Sequence, residues 1–220
     1  MVVCQTGSTE GWQMNEIQGS DEWFAARLGK VSASRLADVL ATVKTGEATT
    51  RRNYRMQLVC ERLTGRKAET YTNAHMERGN ALEPLARASY ELKKGVMVDE
   101  VGFVQHPTIE MAGASPDGLV DGGSIEIKCP TPANHIETVL RGTAPSQYFA
   151  QMQWQMACLG DAYKFVDFVS YCPDVGEDLE LFIVRVPRDD EWLQQAEKDV
   201  IAFLNEVSET YSQLKSLKWL

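Results

Sequence analysis

One short segment with the period of a β-hairpin constrains this chain more than any other part of it. In "SIEIKCP" (124–130) apolar and charged residues alternate, so a strand would turn both isoleucines to one face and Glu126 and Lys128 to the other. The preceding "DGG" (121–123) is a turn signal that folds this strand back on the segment before it. The sequence therefore predicts a hairpin that carries a carboxylate beside an ammonium group.

A second carboxylate is expected close to this pair. Asp117 stands nine residues before Glu126, at the start of the strand that leads into the turn. Two neighbouring carboxylates repel each other unless a positive charge lies between them, and a hard divalent cation such as Mg²⁺ meets that need. With Lys128 to position or deprotonate a water, such a site can hydrolyse phosphodiesters. The alternative is a solvent-facing Glu-x-Lys pair on an edge strand.

The remaining patterns predict one domain of α+β or mixed α/β class, residues 1–220, with a loose N-terminal tail over residues 1–18 and helices flanking a central sheet. Strand patterns at 96–106, 109–120 and 123–130 predict an antiparallel meander. Pro84 is expected to interrupt the second long helix just after Glu83. Helical patterns cover 21–28, 50–63, 73–94, 132–141, 145–159 and 189–215, and two further strands cover 163–172 and 179–187.

Composition excludes several other classes of protein. No segment approaches the roughly 18–20 consecutive apolar residues that a membrane helix needs, and the N-terminal residues show no charged region that leads into an apolar stretch of the secretory type. The five cysteines are scattered without a C-x-x-C pair, which indicates neither a disulfide framework nor a zinc site. We therefore expect a soluble protein of the reducing cytoplasm, in a bacterial cell or a phage-infected host.

The charge distribution leaves room for a nucleic-acid partner. The net charge of −9 argues against DNA binding, which depends on cations that neutralise phosphates. However, residues 1–100 hold 14 Lys and Arg against 13 Asp and Glu, whereas residues 101–220 hold 8 against 18. Basic residues cluster at 51–55 and 62–67, so a positive strip on an acidic body and an ordinary solvated helix face both remain possible.

Segments outside the hairpin carry a family resemblance. "RLGKVSAS" (27–34), "RGNALEPLARASYE" (78–91), "ASPDGL" (114–119) with "IEIKCP" (125–130), and "YFAQMQWQM" (148–156) follow one another in a fixed order. In this order they resemble the PD-(D/E)xK nucleases, and within them the phage lambda exonuclease or YqaJ-like viral recombinase family. The resemblance covers about residues 20–160 and implies the restriction-endonuclease-like core of that superfamily.

The resemblance also implies a role for each matching residue. Mg²⁺ is the implied metal, with Mn²⁺ as a substitute. Gln151 would help to position the lysine and the attacking water, unless it is a solvent-facing residue of an amphipathic helix. Gln153 and Gln155, on other faces of that helix, are not expected to take part. The implied metal ligands and catalytic lysine are Asp117, Glu126, Glu83, the main-chain oxygen of Ile127, and Lys128.

Other residues are candidates for contacts with DNA. The family holds a terminal 5′-phosphate, and the matching residues are Arg27, Ser34 and Ser115, although Ser34 can equally be a helix cap. Met76 is a candidate wedge between the last base pairs, with core packing as its alternative. Lys44, Arg51, Arg52 and Arg55 are candidates for backbone contacts or for a solvated face.

Four further side chains are not expected to act in catalysis. His75, His106 and His135 show no metal-ligand spacing and fall in no matching motif. Cys129 is expected to be a small buried residue rather than a nucleophile.

By resemblance, the chain is an alkaline-type, Mg²⁺-dependent exodeoxyribonuclease that digests linear duplex DNA from a 5′-phosphorylated end. It would release 5′-mononucleotides in the 5′-to-3′ direction and leave a 3′ single strand for an annealing partner protein. The resemblance further implies a ring-shaped homotrimer around the DNA. Two alternatives stay open: an endonuclease or junction resolvase with the same core, and a non-catalytic DNA-binding recombination scaffold.

Overall fold

Two sheets and seven α-helices make up the part of the chain that the computed structural model describes, residues 18–68 and 74–217. The predicted loose tail, residues 1–18, lies outside this part except for its last residue. Gln18 is held against the body, because its side-chain amide donates to the carbonyl of Pro116 at 2.8 Å.

The helices lie close to where the sequence predicts them. Ser20 caps the first one as expected, since its hydroxyl accepts from the backbone N–H of Trp23 at 3.2 Å. Short 3₁₀ turns occur at Ala33–Arg35, Ser146–Tyr148 and Pro173–Val175. The α-helices are α1 (Asp21–Arg27), α2 (Leu36–Val39), α3 (Thr49–Thr64), α4 (Ala74–Lys94), α5 (Pro132–Arg141), α6 (Phe149–Leu159) and α7 (Asp190–Ser216).

Helix α4 contains Pro84 without ending there, and the local kink expected at this proline stays a prediction. It continues through this residue from Ala74 to Lys94. Ala86 and Tyr90, two and six residues further on, are almost completely buried against the sheet. This packing fixes the second half of the helix in spite of the hydrogen bond that a proline removes.

The strands form a three-stranded and a four-stranded sheet. The first has the order β1-β3-β2, with β1 parallel to β3. The second has the order β4-β5-β6-β7, in which only β5 and β6 run parallel. The strands are β1 (Val31–Ser32), β2 (Val104–Gln105), β3 (Ala112–Ala114), β4 (Gly118–Val120), β5 (Gly123–Lys128), β6 (Phe165–Tyr171) and β7 (Leu181–Pro187).

The antiparallel pairings of the predicted meander are present, but the meander is divided between two sheets. Residues 109–120 form two strands instead of one, because β3 joins the three-stranded sheet and β4 pairs with β5. Pro116 lies between them and has no N–H to donate to a ladder. The chain therefore leaves one sheet and enters the other at Ser115–Asp117. Residues 96–106 form only a bridge at Asp99 and the short strand β2.

Helices cover both faces of the four-stranded sheet. On one face, residues of α4 pack against Ile125 and Ile127, so the predicted inward face of β5 is confirmed. On the other face, α6 contributes Met152 and Met156 to an apolar cluster with β6. Glu126 belongs to this second face, so its side chain meets α6 rather than solvent.

A larger core lies between the three-stranded sheet and helices α2, α3, α6 and α7. The predicted apolar stripe of the last helix is confirmed there, since α7 buries Ala196, Val200, Leu204 and Val207. Free thiols are found at all four cysteines of the described residues. None of the described helices is long and apolar enough to cross a membrane.

Candidate active site

The carboxylate and the ammonium group of the hairpin form a buried ion pair. The Lys128 Nζ atom lies 2.5 Å from Glu126 Oε1, and the Glu126 side chain has no exposed surface. Strand β5 is flanked by β4 and β6, so it is an interior strand. The alternative of a solvent-facing pair on an edge strand is therefore wrong.

Asp117 joins this pair from the residue just before β4. Its Oδ2 atom accepts from the backbone N–H of Ile127 at 2.7 Å. Removal from solvent raises the pKa of Asp117 well above its ordinary value, and the neighbouring charges of Glu126 and Glu83 raise it further. Asp117 and Glu126 therefore lie close enough to influence each other, as predicted. The neighbouring positive charge does not balance their negative charges.

Burial alone would lower the pKa of Lys128, but the carboxylates of Glu126 and Asp117 raise it above its ordinary value. The side chain is therefore a charged ammonium group. Of the two roles that the sequence left open, this favours positioning of a water or phosphate over removal of a proton from water.

Glu83 approaches from the middle of α4. Burial raises the pKa of Glu83 above its ordinary value, although Arg87 and Lys128 act in the opposite direction. Arg87 lies one turn later, and its Nη2 atom donates both to Glu83 Oε1 at 2.8 Å and to the carbonyl of Asp117 at 3.2 Å. Sequence reasoning missed Arg87, although the i, i+4 spacing of an acid and a base was a usable signal.

Two glutamines of α6 hold the Glu126 carboxylate. Gln151 Nε2 donates to Glu126 Oε1 at 2.6 Å. Lys128 contacts the same oxygen, so Gln151 is linked to Lys128 through Glu126. Gln155 Nε2 donates to Oε2. The expectation that Gln155 faces elsewhere is wrong, because residues four apart share one face of a helix. Gln153 does face elsewhere and binds the carbonyl of Pro187.

A cavity of about 430 Å³ opens beside these groups, at the carboxyl end of β5. Tyr148 forms part of the wall of this cavity and also lines a smaller cavity of about 170 Å³. The Lys128 ammonium lies 5.1 Å from the centre of the Tyr148 ring. Sequence reasoning did not single out Tyr148. The lining residues include Met76, Asn80, Glu83, Asp117, Ile127 and Lys128.

The side chains offer the donors that a hard cation takes, which are carboxylate and carbonyl oxygens. Among the residues that the structure describes, no three His, Cys, Asp or Glu side chains already stand in position to hold a metal ion. Among the described residues, Glu126 Oε1 accepts from Lys128 and Gln151 and Oε2 accepts from Gln155, which leaves Oε2 a lone pair with which to act as a ligand. The donor set nevertheless fits a divalent cation, because the carboxylates of Asp117, Glu126 and Glu83 act on one another with too little positive charge to balance them.

A second cavity, of about 340 Å³, contains two of the three predicted phosphate-binding residues, Arg27 and Ser34. Burial lowers the pKa of Arg27, which indicates a poorly hydrated guanidinium group that an anion would stabilise. Its charged group lies 3.9 Å from the centre of the Trp23 ring, and Trp23 Nε1 donates to Ser115 Oγ at 2.9 Å. Trp23, which sequence reasoning did not single out, thus connects Arg27 with Ser115, the third predicted phosphate-binding residue.

Met76 lines both cavities and is 48% exposed, so the core-packing alternative is wrong for this residue. Ser34 lies within a 3₁₀ turn and is exposed. The residue in the cap position of that turn is Ser32, so the cap alternative for Ser34 is also wrong.

The predicted contacts of other basic residues with DNA receive less support. Arg51 Nη2 lies 2.8 Å from Glu206, and Arg55 Nη2 lies 2.8 Å from Glu47. These ion pairs favour a structural role for both arginines, in linking α3 to its surroundings. Lys44 and Arg52 are exposed, and their contact with DNA stays a prediction.

The residues that were expected to be inactive are held by other groups of the fold or are poorly reactive. His135 is buried and binds Ser170 and the carbonyl of Leu179, and His106 stacks on Trp154. Burial and the charge of Glu83 raise the pKa of Cys129 to about 11, which keeps its thiol protonated. The side chain of His75 lies outside the described residues.

Comparison with known proteins identifies the family. The model of the YqaJ-like viral recombinase domain matches residues 22–162. A search of curated proteins finds no match. LHK-Exo, an alkaline exonuclease from Laribacter hongkongensis, has been solved alone and with dAMP. The dAMP complex is 49% identical to this chain with a TM-score of 0.83, and the alignment covers 89% of this chain and 96% of the other.

For LHK-Exo alone the identity is 48% and the TM-score 0.81, with the same coverage. A phage-related exonuclease from Haemophilus somnus 129PT is 18% identical, with a TM-score of 0.63 over 84% of this chain and 96% of that one, so it supports the fold alone. The predicted fold class and family are confirmed: the chain belongs to the YqaJ-like viral recombinase family.

Proposed function

We propose that this protein is a metal-dependent exodeoxyribonuclease that digests linear double-stranded DNA from 5′-phosphorylated ends. It would proceed in the 5′-to-3′ direction, release 5′-mononucleotides and leave a 3′ single strand for recombination by annealing. The observation that carries this proposal is the cavity lined by Asp117 and Lys128, whose ammonium group pairs with the buried Glu126, next to a second cavity with Arg27 and Ser34. Met76 lines both.

Each residue of the site would have its own role in this reaction. Lys128, as a charged ammonium group, would orient the scissile phosphate or the attacking water. Gln151 would hold the Glu126 carboxylate that Lys128 contacts. Arg27, Ser34 and Ser115 would bind the terminal phosphate, and Met76 would separate the last base pair from its neighbour. That LHK-Exo has been crystallised with dAMP, a mononucleotide, supports a nucleotide product here.

We also propose Mg²⁺ as the cofactor, with Mn²⁺ able to replace it. Asp117, Glu126, Glu83 and the main-chain oxygen of Ile127 would hold the ion. When bound, such an ion polarises a phosphate and lowers the pKa of a coordinated water.

We further propose that the protein forms a ring-shaped homotrimer around the duplex and works with a single-strand annealing protein. A ring would reconcile the net charge of −9 with DNA binding, since a few basic residues in the bore suffice while acids face outward.

The test compares three substrates in the presence of Mg²⁺: linear duplex with 5′-phosphate ends, the same duplex with 5′-hydroxyl ends, and closed circular plasmid. We expect mononucleotides from the first, a slower reaction on the second and no cleavage of the third. Nicking of the circle would identify an endonuclease instead. No release from any substrate would indicate a non-catalytic scaffold.

A further inference from the structure

The Glu126 carboxylate is held from two sides by one helix. Gln151 and Gln155, one turn apart on α6, each donate to a different carboxylate oxygen. The ammonium group of Lys128 shares Oε1 with Gln151, whereas Gln155 is the side chain that holds Oε2. Since Glu126 has no exposed surface, these three side chains replace the water that would otherwise solvate its charge.

The orientation of Gln155 indicates that this contact matters. The side chain is completely buried, and its Oε1 atom makes no hydrogen bond with any group in the described part of the chain. An apolar side chain of similar size would fill the same space without leaving a buried acceptor unsatisfied. What the amide adds at this position is therefore its donor group, which is directed at Glu126.

Gln153 provides an internal comparison. It is equally buried on the same helix, but both ends of its amide bind backbone: Nε2 donates to the carbonyl of Pro187 and Oε1 accepts from the N–H of Asp189, each at 2.8 Å. Gln153 thus anchors the chain between β7 and α7. The two glutamines are alike in burial and differ in what they hold.

We propose that Gln155 is a positioning residue of the nuclease site, which fixes the second oxygen of Glu126 and so sets the orientation in which this carboxylate meets a divalent cation. This inference rests on the proposed function of the site. Groups that orient metal ligands typically change metal affinity or activity by about 10- to 100-fold when they are removed.

The experiment compares Gln155→Met with Gln153→Met, since methionine keeps the length of the side chain and removes its amide. Mn²⁺ binding is measured by isothermal titration calorimetry on the full chain without DNA, and mononucleotide release is measured with Mg²⁺. For Gln155→Met we expect Mn²⁺ affinity and turnover to fall about 10- to 100-fold. For Gln153→Met we expect a lower midpoint of urea unfolding, with Mn²⁺ affinity within about twofold of wild type, because it holds no ligand.

Wild-type Mn²⁺ affinity in Gln155→Met would overturn the proposal, and so would equal losses of affinity in both variants, which would indicate a general effect on α6. If Gln155→Met does not fold, Gln155→Asn takes its place, because the shorter amide stays polar but does not reach Glu126. The same loss of Mn²⁺ affinity is expected, and its absence overturns the proposal. Failure of the proposed function is distinguishable, since it would appear as no nucleotide release by the wild type.

Discussion

Asp117, next to the four-stranded sheet, and Asp167, within it, have opposite environments. Asp167 accepts from Arg185 at 2.8 and 2.9 Å and from the Tyr90 hydroxyl at 2.8 Å. Burial would raise its pKa, but the hydrogen bonds from Arg185 and Tyr90 outweigh this effect and hold the pKa of Asp167 below its ordinary value. The pKa of Asp117 is instead raised well above its ordinary value.

The difference supports a structural role for Asp167 and the proposed cation-binding role for Asp117. Around Asp167 the chain supplies a cation and a hydroxyl group, so the negative charge is satisfied within the fold. Around Asp117 it supplies two more carboxylates, Glu126 and Glu83, and too little positive charge. An uncompensated cluster of this kind is costly for folding and is expected where a cation is to bind.

The largest expected effect is on catalysis. Lys128→Ala removes the ammonium group of the cavity, and we expect mononucleotide release from 5′-phosphorylated duplex to fall about 10²- to 10⁴-fold. Lys94→Ala is the matched control, because Lys94 lies 3.8 Å from Asp167 and takes no part in the cavity. Release rates within a few-fold of wild type for Lys128→Ala would contradict the assignment.

The next effect is on stability. Asp167→Asn leaves Arg185, whose side chain is 53% exposed, without its carboxylate partner, and we expect the free energy of unfolding to fall by about 1 to 3 kcal/mol. The rate of nucleotide release per folded molecule should stay close to that of wild type. Urea denaturation and an active-fraction assay measure the two quantities. An Asp167→Asn variant with the same free energy of unfolding as wild type would contradict the structural role of Asp167.

Asp117→Asn should show the opposite behaviour. The substitution removes one of three neighbouring negative charges, so without divalent cations we expect a free energy of unfolding equal to or above that of wild type. Nucleotide release should nevertheless be lost. Denaturation in the presence of a chelator gives the first quantity, and a clear loss of stability there would show that Asp117 is structural after all.

Acidification should reduce the advantage of wild type over Asp167→Asn. Because the folded-state pKa of Asp167 lies below its unfolded value of about 3.9, its contribution to stability is complete above that pH. The contribution is lost as pH falls through the folded-state pKa. The difference in unfolding free energy between the two proteins should thus be larger at neutral pH than in strong acid, and an increase in acid would contradict this.

The smallest effect is expected for Lys94→Met. The Lys94 side chain is 37% exposed, and its Nζ atom lies 3.8 Å from Asp167 Oδ2. Solvent therefore screens the pair. We expect a change in unfolding free energy below about 1 kcal/mol. A larger loss, measured by urea denaturation, would mean that Lys94 is an essential partner of Asp167 alongside Arg185.

Local patterns predicted much of the hairpin and its ion pair. The alternation in β5 placed Ile125 on one face and Glu126 on the other, and the glycine turn predicted the pairing with β4. The same reasoning predicted one strand over residues 109–120, whereas the chain changes sheets near Pro116. The parallel pairing of β5 with β6 joins segments about 40 residues apart, and no local pattern contains it.

The site shows the same division between local and non-local information. Asp117, Glu126 and Lys128 lie within one hairpin, so the sequence could bring them together. Arg87 and Gln155 act across elements, on residues 30 and 29 positions away. Their i, i+4 spacing from Glu83 and Gln151 was visible in the sequence, but their partners became apparent only once α4 and α6 had been placed on the sheet.

The most direct test of the contrast between the two aspartates is Mn²⁺ binding in the absence of DNA. Isothermal titration calorimetry would compare wild type, Asp117→Asn and Asp167→Asn. We predict that wild type and Asp167→Asn bind Mn²⁺ with similar affinity, whereas Asp117→Asn binds at least about 10-fold more weakly because a ligand is lost. Unchanged affinity in Asp117→Asn would contradict the claim that its uncompensated charge serves to bind a cation.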